Sequence, residues 1–236
     1  MFETLINKTI ALLTLQLLIT WVGAQAVVTY FRLCYWAGAD NVQAVEGESG
    51  SIDIFPSGAG AQTFFYGNFI ANAVIGLVLI VFFRQSADVG IWLFCIWSLT
   101  FGFSFGFIFI FLNENVAEKA LTLTASISLL CALVGLSVQT DLSFMQPWLL
   151  VGLVILLIVN IGRGVMGLPD EEKRIKAIGG SLLFALYLVA DFNALAQAAA
   201  PEQNSWNIAL EISIQLYLDV INLLLQILEA LGQEEG

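Results

Sequence analysis

A chain of 236 residues that is 59% hydrophobic and only 11% charged is not an ordinary soluble domain, in which charged residues make up about a quarter of the total. Its mean hydropathy of +0.88 marks an all-α, polytopic membrane protein folded as a single domain. A net charge of −11 and the absence of histidine exclude a basic nucleic-acid surface, histidine metal sites and Ser-His or Cys-His catalysis.

The N-terminus, Met1-Phe2-Glu3-Thr4-Leu5, lacks the positive region of a signal peptide, so its first apolar stretch is expected to remain as a spanning helix. A span needs about 20 mostly apolar residues. On that basis seven are predicted, at roughly 9–31, 67–84, 91–112, 118–138, 147–166, 175–196 and 207–231. Connections are mostly short, which makes successive helices antiparallel neighbours. The exception is 33–66, with Asp40, Glu46, Glu48 and Asp53 among Gly and Ser. It reads as a solvated acidic loop without the spacing of an EF-hand. In the third span, Gly102 and Gly106 have the spacing that lets two helices approach closely. Pro169-Asp170 starts the sixth helix. Cys34, Cys95 and Cys131 are isolated thiols; Cys95 and Cys131, inside apolar runs, read as small buried residues.

Ionisable groups inside spans are the candidates for function. Asp191 lies in the sixth and Asp219 in the seventh, where a carboxylate costs about 3 kcal/mol or more. In the last span Glu211, Gln215, Asp219, Asn222 and Gln226 fall within about 80° of the helix face. Such a stripe faces the bundle interior or a water-filled path, although interhelical hydrogen bonding is the plainer use of Gln and Asn. Tyr187 shares a face with Asp191. A short connection brings the last two spans together, so the two aspartates can meet, share a proton and titrate as a pair. Arg84 closes the second span as an interfacial cation or as a partner for Asp191. These oxygens suit a weak, passable site for a hard cation such as Ca²⁺, Asp191 and Asp219 being its metal-facing groups.

Leu216-Tyr217-Leu218-Asp219-Val220-Ile221-Asn222-Leu223 resembles the C-terminal signature of the Bax inhibitor-1 (TMBIM) family. Phe184-Ala185-Leu186-Tyr187-Leu188-Val189-Ala190-Asp191-Phe192-Asn193 and Thr140-Asp141-Leu142-Ser143-Phe144 resemble its sixth-span segment and the motif between its fourth and fifth spans. The opening 14–20, the end of the third span at 107–111 and residues 121–125 fit as well, in the right order.

The resemblance implies a seven-helix bundle with the last helix central. Its bacterial members imply a pH-sensitive calcium leak in the inner membrane, with Asp191 and Asp219 as a di-aspartyl sensor and Arg84 as a lock on Asp191. Its eukaryotic members imply suppression of cell death. Protein partners are not specified. Where some bacterial relatives carry an acid in the second span, this chain reads Ala71-Asn72-Ala73. The family topology places the N-terminus in the cytoplasm. The count of Lys and Arg favours the opposite orientation. The expected function is a proton-gated cation leak across the bilayer, with no cofactor and no enzymatic activity. The alternatives are a non-transporting membrane regulator and an intramembrane aspartyl protease. Those proteases place Tyr-Asp and Gly-x-Gly-Asp in neighbouring spans, whereas here the segments are Val-Ala-Asp and Leu-Tyr-Leu-Asp.

Overall fold

The computed structural model describes residues 4–46, 52–82, 86–112, 114–166, 170–199 and 204–232. Among the described residues seven helices are each long and apolar enough to cross a membrane: α1 (Leu5–Trp36), α2 (Gly58–Phe82), α3 (Ala87–Phe111), α4 (Glu114–Ser137), α5 (Gln146–Met166), α6 (Asp170–Gln197) and α7 (Trp206–Gly232). Each predicted span falls on one of them. The chain is an integral, multi-pass membrane protein of the all-α class. Of the seven, α7 is the most enclosed, with 56% of an 18-residue apolar stretch of it buried. At the other extreme α5, with 11% of such a stretch buried, turns residues such as Leu150, Val154 and Ile158 outward, as a lipid-facing helix does.

The segment 33–66 departs from the solvated-loop expectation. Helix α1 runs on to Trp36 and α2 begins at Gly58. Between them β1 (Val42–Glu46) and β2 (Ile52–Pro56) pair antiparallel, with Val42 opposite Pro56 and Val45 opposite Asp53. Ile52-Asp53-Ile54 alternates apolar and polar as a half-buried strand does. Gly38, at φ +67°, ends α1. The amides of Ala37, Gly38 and Ala39 return to the carbonyls of Leu33, Tyr35 and Cys34, satisfying the last helical acceptors.

The chain divides into two compact units, Thr14–Glu114 and Met1–Leu13 with Asn115–Gly236. In the first, α1 and α3 cross almost backbone to backbone. A Cβ at Gly102 would collide with the Thr20 carbonyl and the Gly23 Cα, and one at Gly106 would meet Ala24 and Val27. The glycine spacing therefore serves packing. Thr20 Oγ1 donates to the carbonyls of Gln16 (2.9 Å) and Ser98 (3.2 Å). Between α2 and α3 lies a neutral polar network. Asn68 Nδ2 donates to Ser104 Oγ (2.7 Å) and Asn72 Nδ2 to the Thr100 carbonyl (3.1 Å). Thr100 Oγ1 donates to Asn72 Oδ1 (2.9 Å) and Trp97 Nε1 to the Asn72 carbonyl (3.0 Å).

In the second unit, Asn193 on α6 is 1% exposed. Its Nδ2 donates to the Val138 carbonyl (2.8 Å) at the end of α4, and its Oδ1 accepts from the Leu142 amide (2.9 Å). Asp141 accepts from the Ser143 amide (2.8 Å) and hydroxyl (3.1 Å), capping the turn that opens α5. The motif 140–144 is thus a helix start held by Asn193. At the beginning of α1, Lys8 donates to the Asn204 carbonyl (3.1 Å) and sits 5.5 Å from the Trp206 ring. Cys131 is buried, while Cys34 and Cys95 are half-buried; all three are free thiols. Pro169 and Arg84 lie outside the described residues.

Candidate functional site

Helices α6 and α7 pack along each other in opposite directions. Polar groups meet at three levels of this seam. At one end Lys176 forms an ion pair with Glu229 and donates to Asn160 of α5 (2.8 Å). One turn further, the side chain of Gln226 lies directly over Gly180, where any Cβ would displace it. The third level holds the two aspartates. Their carboxyl groups come within hydrogen-bonding reach of each other, and Tyr187 interacts electrostatically with both.

The local sequence explains this placement. Tyr187 and Asp191 stand four residues apart, one helical turn, and so project from the same side of α6. Around Asp219, Leu216, Tyr217, Val220 and Leu223 are buried, so the apolar majority of α7 carries its one aspartate into the packed interior. Asp219 is 8% exposed, whereas Asp191 is half-buried. The Oδ2 of Asp219 is buried without a hydrogen-bond partner among the described residues. Two ionised carboxylates have acceptors only. A hydrogen bond between them needs a proton, and one proton suffices for the pair. The site can therefore take up or release a proton at a contact between two helices, and an ionised oxygen can meet a passing cation. Among the described residues no group of three or more acidic or thiol side chains gathers, so the geometry is that of a pair rather than a cage.

The rest of the predicted stripe is unevenly placed. Gln226 is buried with Asp219, Glu211 and Asn222 are half-buried, and Gln215 is exposed. The stripe follows one margin of the buried face of α7 instead of its centre. Arg84 falls outside the described residues. Residue-by-residue reading missed the Lys176–Glu229 pair, although each charge sits where its helix enters or leaves the seam. It also missed the part played by Asn193. Its signal was an amide two residues beyond Asp191, facing the connection between α4 and α5.

The chain was compared with known proteins. Residues 3–236 match the family described as inhibitor of apoptosis-promoting Bax1. Vaccinia virus proteins of strains Lister, LC16m0 and LC16m8, each described as a Golgi anti-apoptotic protein, are 26% identical to it over 161 residues. That stretch is 66% of this chain and 64% of each relative, so the match spans just under two thirds of the relatives' length. With nearly the whole chain matched to the family, the protein belongs to the Bax inhibitor-1 family of multi-pass membrane proteins.

Proposed function

We propose that this protein is a pH-sensitive cation leak, with calcium as the permeant ion and Asp191 and Asp219 as its proton sensor. The observation that carries this reading is the facing of the two carboxyl groups across the α6–α7 seam, with Asp219 Oδ2 buried and without a partner. A shared proton holds the two helices together through a hydrogen bond. Loss of that proton sets like charges against each other in a low-dielectric site, where their repulsion is large. A change of charge on the pair therefore shifts the packing of α7 between two arrangements. Glu211, Gln215 and Asn222, on the less buried margin of α7, line the path opened. Arg84 enters on the family resemblance alone, as a lock on Asp191. The role is transport rather than catalysis, with protons and calcium as the ligands and no cofactor. The family's bacterial members suggest an inner-membrane setting.

The test is calcium flux into dye-loaded proteoliposomes, scanned from about pH 5 to 8, a range over which a coupled carboxylate pair can titrate. The wild type leaks calcium with a pH-dependent rate, and Asp191→Asn and Asp219→Asn each change that profile. Flux with the same profile in both variants would sink the sensor.

A second reading is a non-transporting regulator of cell death. It is favoured by the anti-apoptotic description of the viral relatives. Absence of flux from well-folded wild-type protein would move the weight there, with the aspartates reduced to hydrogen bonding.

A further inference from the structure

Within the unit Thr14–Glu114, a cavity of about 660 Å³ opens where α1 ends and α2 begins, against α3. Its size falls in the range of small-molecule sites, which bury an apolar body and fix its orientation with a few polar groups. Aromatic side chains form the walls: Tyr30, Phe31, Phe64, Phe103 and Phe107. Phe31 and Phe107 pack edge to face at 5.6 Å, and Phe64 stands 5.5 Å from Phe107. Of the lining residues, Val27, Phe31 and Phe107 also form a buried apolar cluster, so these walls are built into the fold.

The polar groups are Asp40, Asn41, Ser57 and the hydroxyl of Tyr30, which meets Asn41 and Cys34 and so brings one aromatic ring beside them. Ser57 is occupied by the backbone, its amide and hydroxyl donating to the carbonyls of Asn41 (2.8 Å) and Asp40 (3.2 Å). The amide nitrogen of Asn41 donates to Cys34 Sγ (3.7 Å). Two side-chain acceptors remain. Asn41 Oδ1 is buried with no hydrogen-bond partner, and Asp40 meets no cation among the described residues. A buried acceptor of this kind calls for a donor. The sign of the charge is also set: residues 33–66 hold four acids and no Lys or Arg, and Arg32, at the edge of this stretch, does not line the cavity. A phosphate or sulfate head would be repelled. A cation that donates hydrogen bonds is attracted by Asp40, accepted by Asn41 and faced by aromatic rings. Exposed Trp36 and Tyr66 place this end of the helices at the level of the membrane surface, where such aromatic residues concentrate. A ligand can thus enter from the bilayer, apolar end inward.

We propose that this cavity binds a lipophilic amine, a molecule with one apolar chain or ring system and a primary ammonium head held by Asp40 and Asn41. The site is independent of the aspartate pair.

The test uses full-length protein in phosphatidylcholine nanodiscs and three photoreactive probes that share a dodecyl chain with a chain-borne diazirine. One probe has an ammonium head, one a hydroxyl and one a sulfate. Labelled peptides are mapped by mass spectrometry, and affinity is read from competition with unlabelled dodecylamine. The amine labels the peptides that carry Tyr30, Phe64 and Phe107, and does so more tightly than the alcohol or the sulfate. Asp40→Asn, at an exposed position, weakens the amine about tenfold and leaves the alcohol unchanged. A side chain at Gly60 meets nothing within 4 Å of its Cβ and Gly60 lines the cavity, so Gly60→Phe reduces labelling by every probe without unfolding the protein. Equal labelling by amine and alcohol overturns the proposal. So does an Asp40→Asn variant that binds the amine like the wild type, or labelling spread along the lipid-facing helices and unaffected by Gly60→Phe.

Discussion

The protein carries two polar clusters inside its spans, and they are built on opposite rules. Between α2 and α3, Asn68, Asn72, Thr100 and Ser104 are all neutral and all hydrogen-bonded, and the indole of Trp97 closes the set on the Asn72 carbonyl. Between α6 and α7 the groups are charged or chargeable. Two of their atoms, Asp219 Oδ2 and Gln226 Oε1, are buried with no partner. A completed neutral network has one arrangement and rigidifies the helices it joins. A pair of acidic groups has arrangements that differ in proton count. The first cluster is a fastening and the second a point where the structure responds to its surroundings. Local rules are commonly broken at functional sites, and of these two clusters only the one in the α6–α7 seam leaves buried atoms unpaired.

The hardest test of the fastened side is Gly102→Val. A Cβ there meets the Thr20 carbonyl and Gly23 Cα, which are backbone and cannot rotate away. Separating α1 from α3 should cost about 3 kcal/mol or more. The expected result is a protein that no longer elutes as a single species and unfolds at markedly lower SDS fraction. A variant that unfolds like the wild type would show that this crossing is not tight, and the contrast between a fixed and a responsive region would lose its fixed half.

A matched pair of substitutions then tests the clusters against each other. Asn72→Leu removes the donor to the Thr100 carbonyl and takes from Thr100 Oγ1 one of its two acceptors, leaving the Trp97 carbonyl (2.8 Å). It should lower stability by about 1 kcal/mol, the scale of interhelical hydrogen bonds in membranes, by the same amount at pH 5 and pH 8. Asp219→Asn should do the reverse. The new amide can donate to Asp191 whatever the pH, so the α6–α7 contact persists while its proton dependence goes. Stability should change by less than about 1 kcal/mol, and its variation between those pH values should fall by more than half. Both are read from unfolding curves at each pH. A pH-dependent loss in the Asn72 variant, or an undiminished pH dependence in the Asp219 variant, contradicts the division of roles.

Much of this architecture is legible in the sequence, because a lipid-spanning helix must be apolar over about 20 residues. The runs around Leu149–Ile158 or Leu216–Leu228 leave no other reading. What extends beyond lipid is harder. The start of α2, Gly58-Ala59-Gly60-Ala61-Gln62, has no apolar density, so the helix begins earlier than hydropathy suggests. The hairpin was hidden by its acids, although Ile52-Asp53-Ile54 has the period of a strand. In the candidate site, spacing alone put Asp191 and Tyr187 on one face, and a short connection put Asp219 opposite them. The uneven burial of Glu211, Gln215 and Asn222 had no such signal. Helical periodicity tells which residues share a face, but not how wide the buried face is, and that width is greatest in α7.

The smallest expected effect concerns Lys176, which joins three helices through Glu229 and Asn160. Its ion pair sits at the end of the same seam that holds the aspartates, where α6 begins and α7 ends. The lysine side chain is 9% exposed and the glutamate 26%, so the contact is better shielded than an ordinary surface pair, though still reached by water. Lys176→Gln keeps one donor for Asn160 or Glu229 and removes the charge. It should cost about 1 kcal/mol, at the upper end for such pairs, with part of the loss disappearing at high salt. The change should be equal at pH 5.5 and pH 8 if the carboxyl pair titrates independently of this end of the seam. A cost that grows or shrinks with pH in this variant, but not in one that also carries Asp219→Asn, would mean that the ion pair and the aspartates act as one unit. In that case the responsive region extends along the α6–α7 contact from Lys176 to Asp191, rather than being confined to the level of the two aspartates.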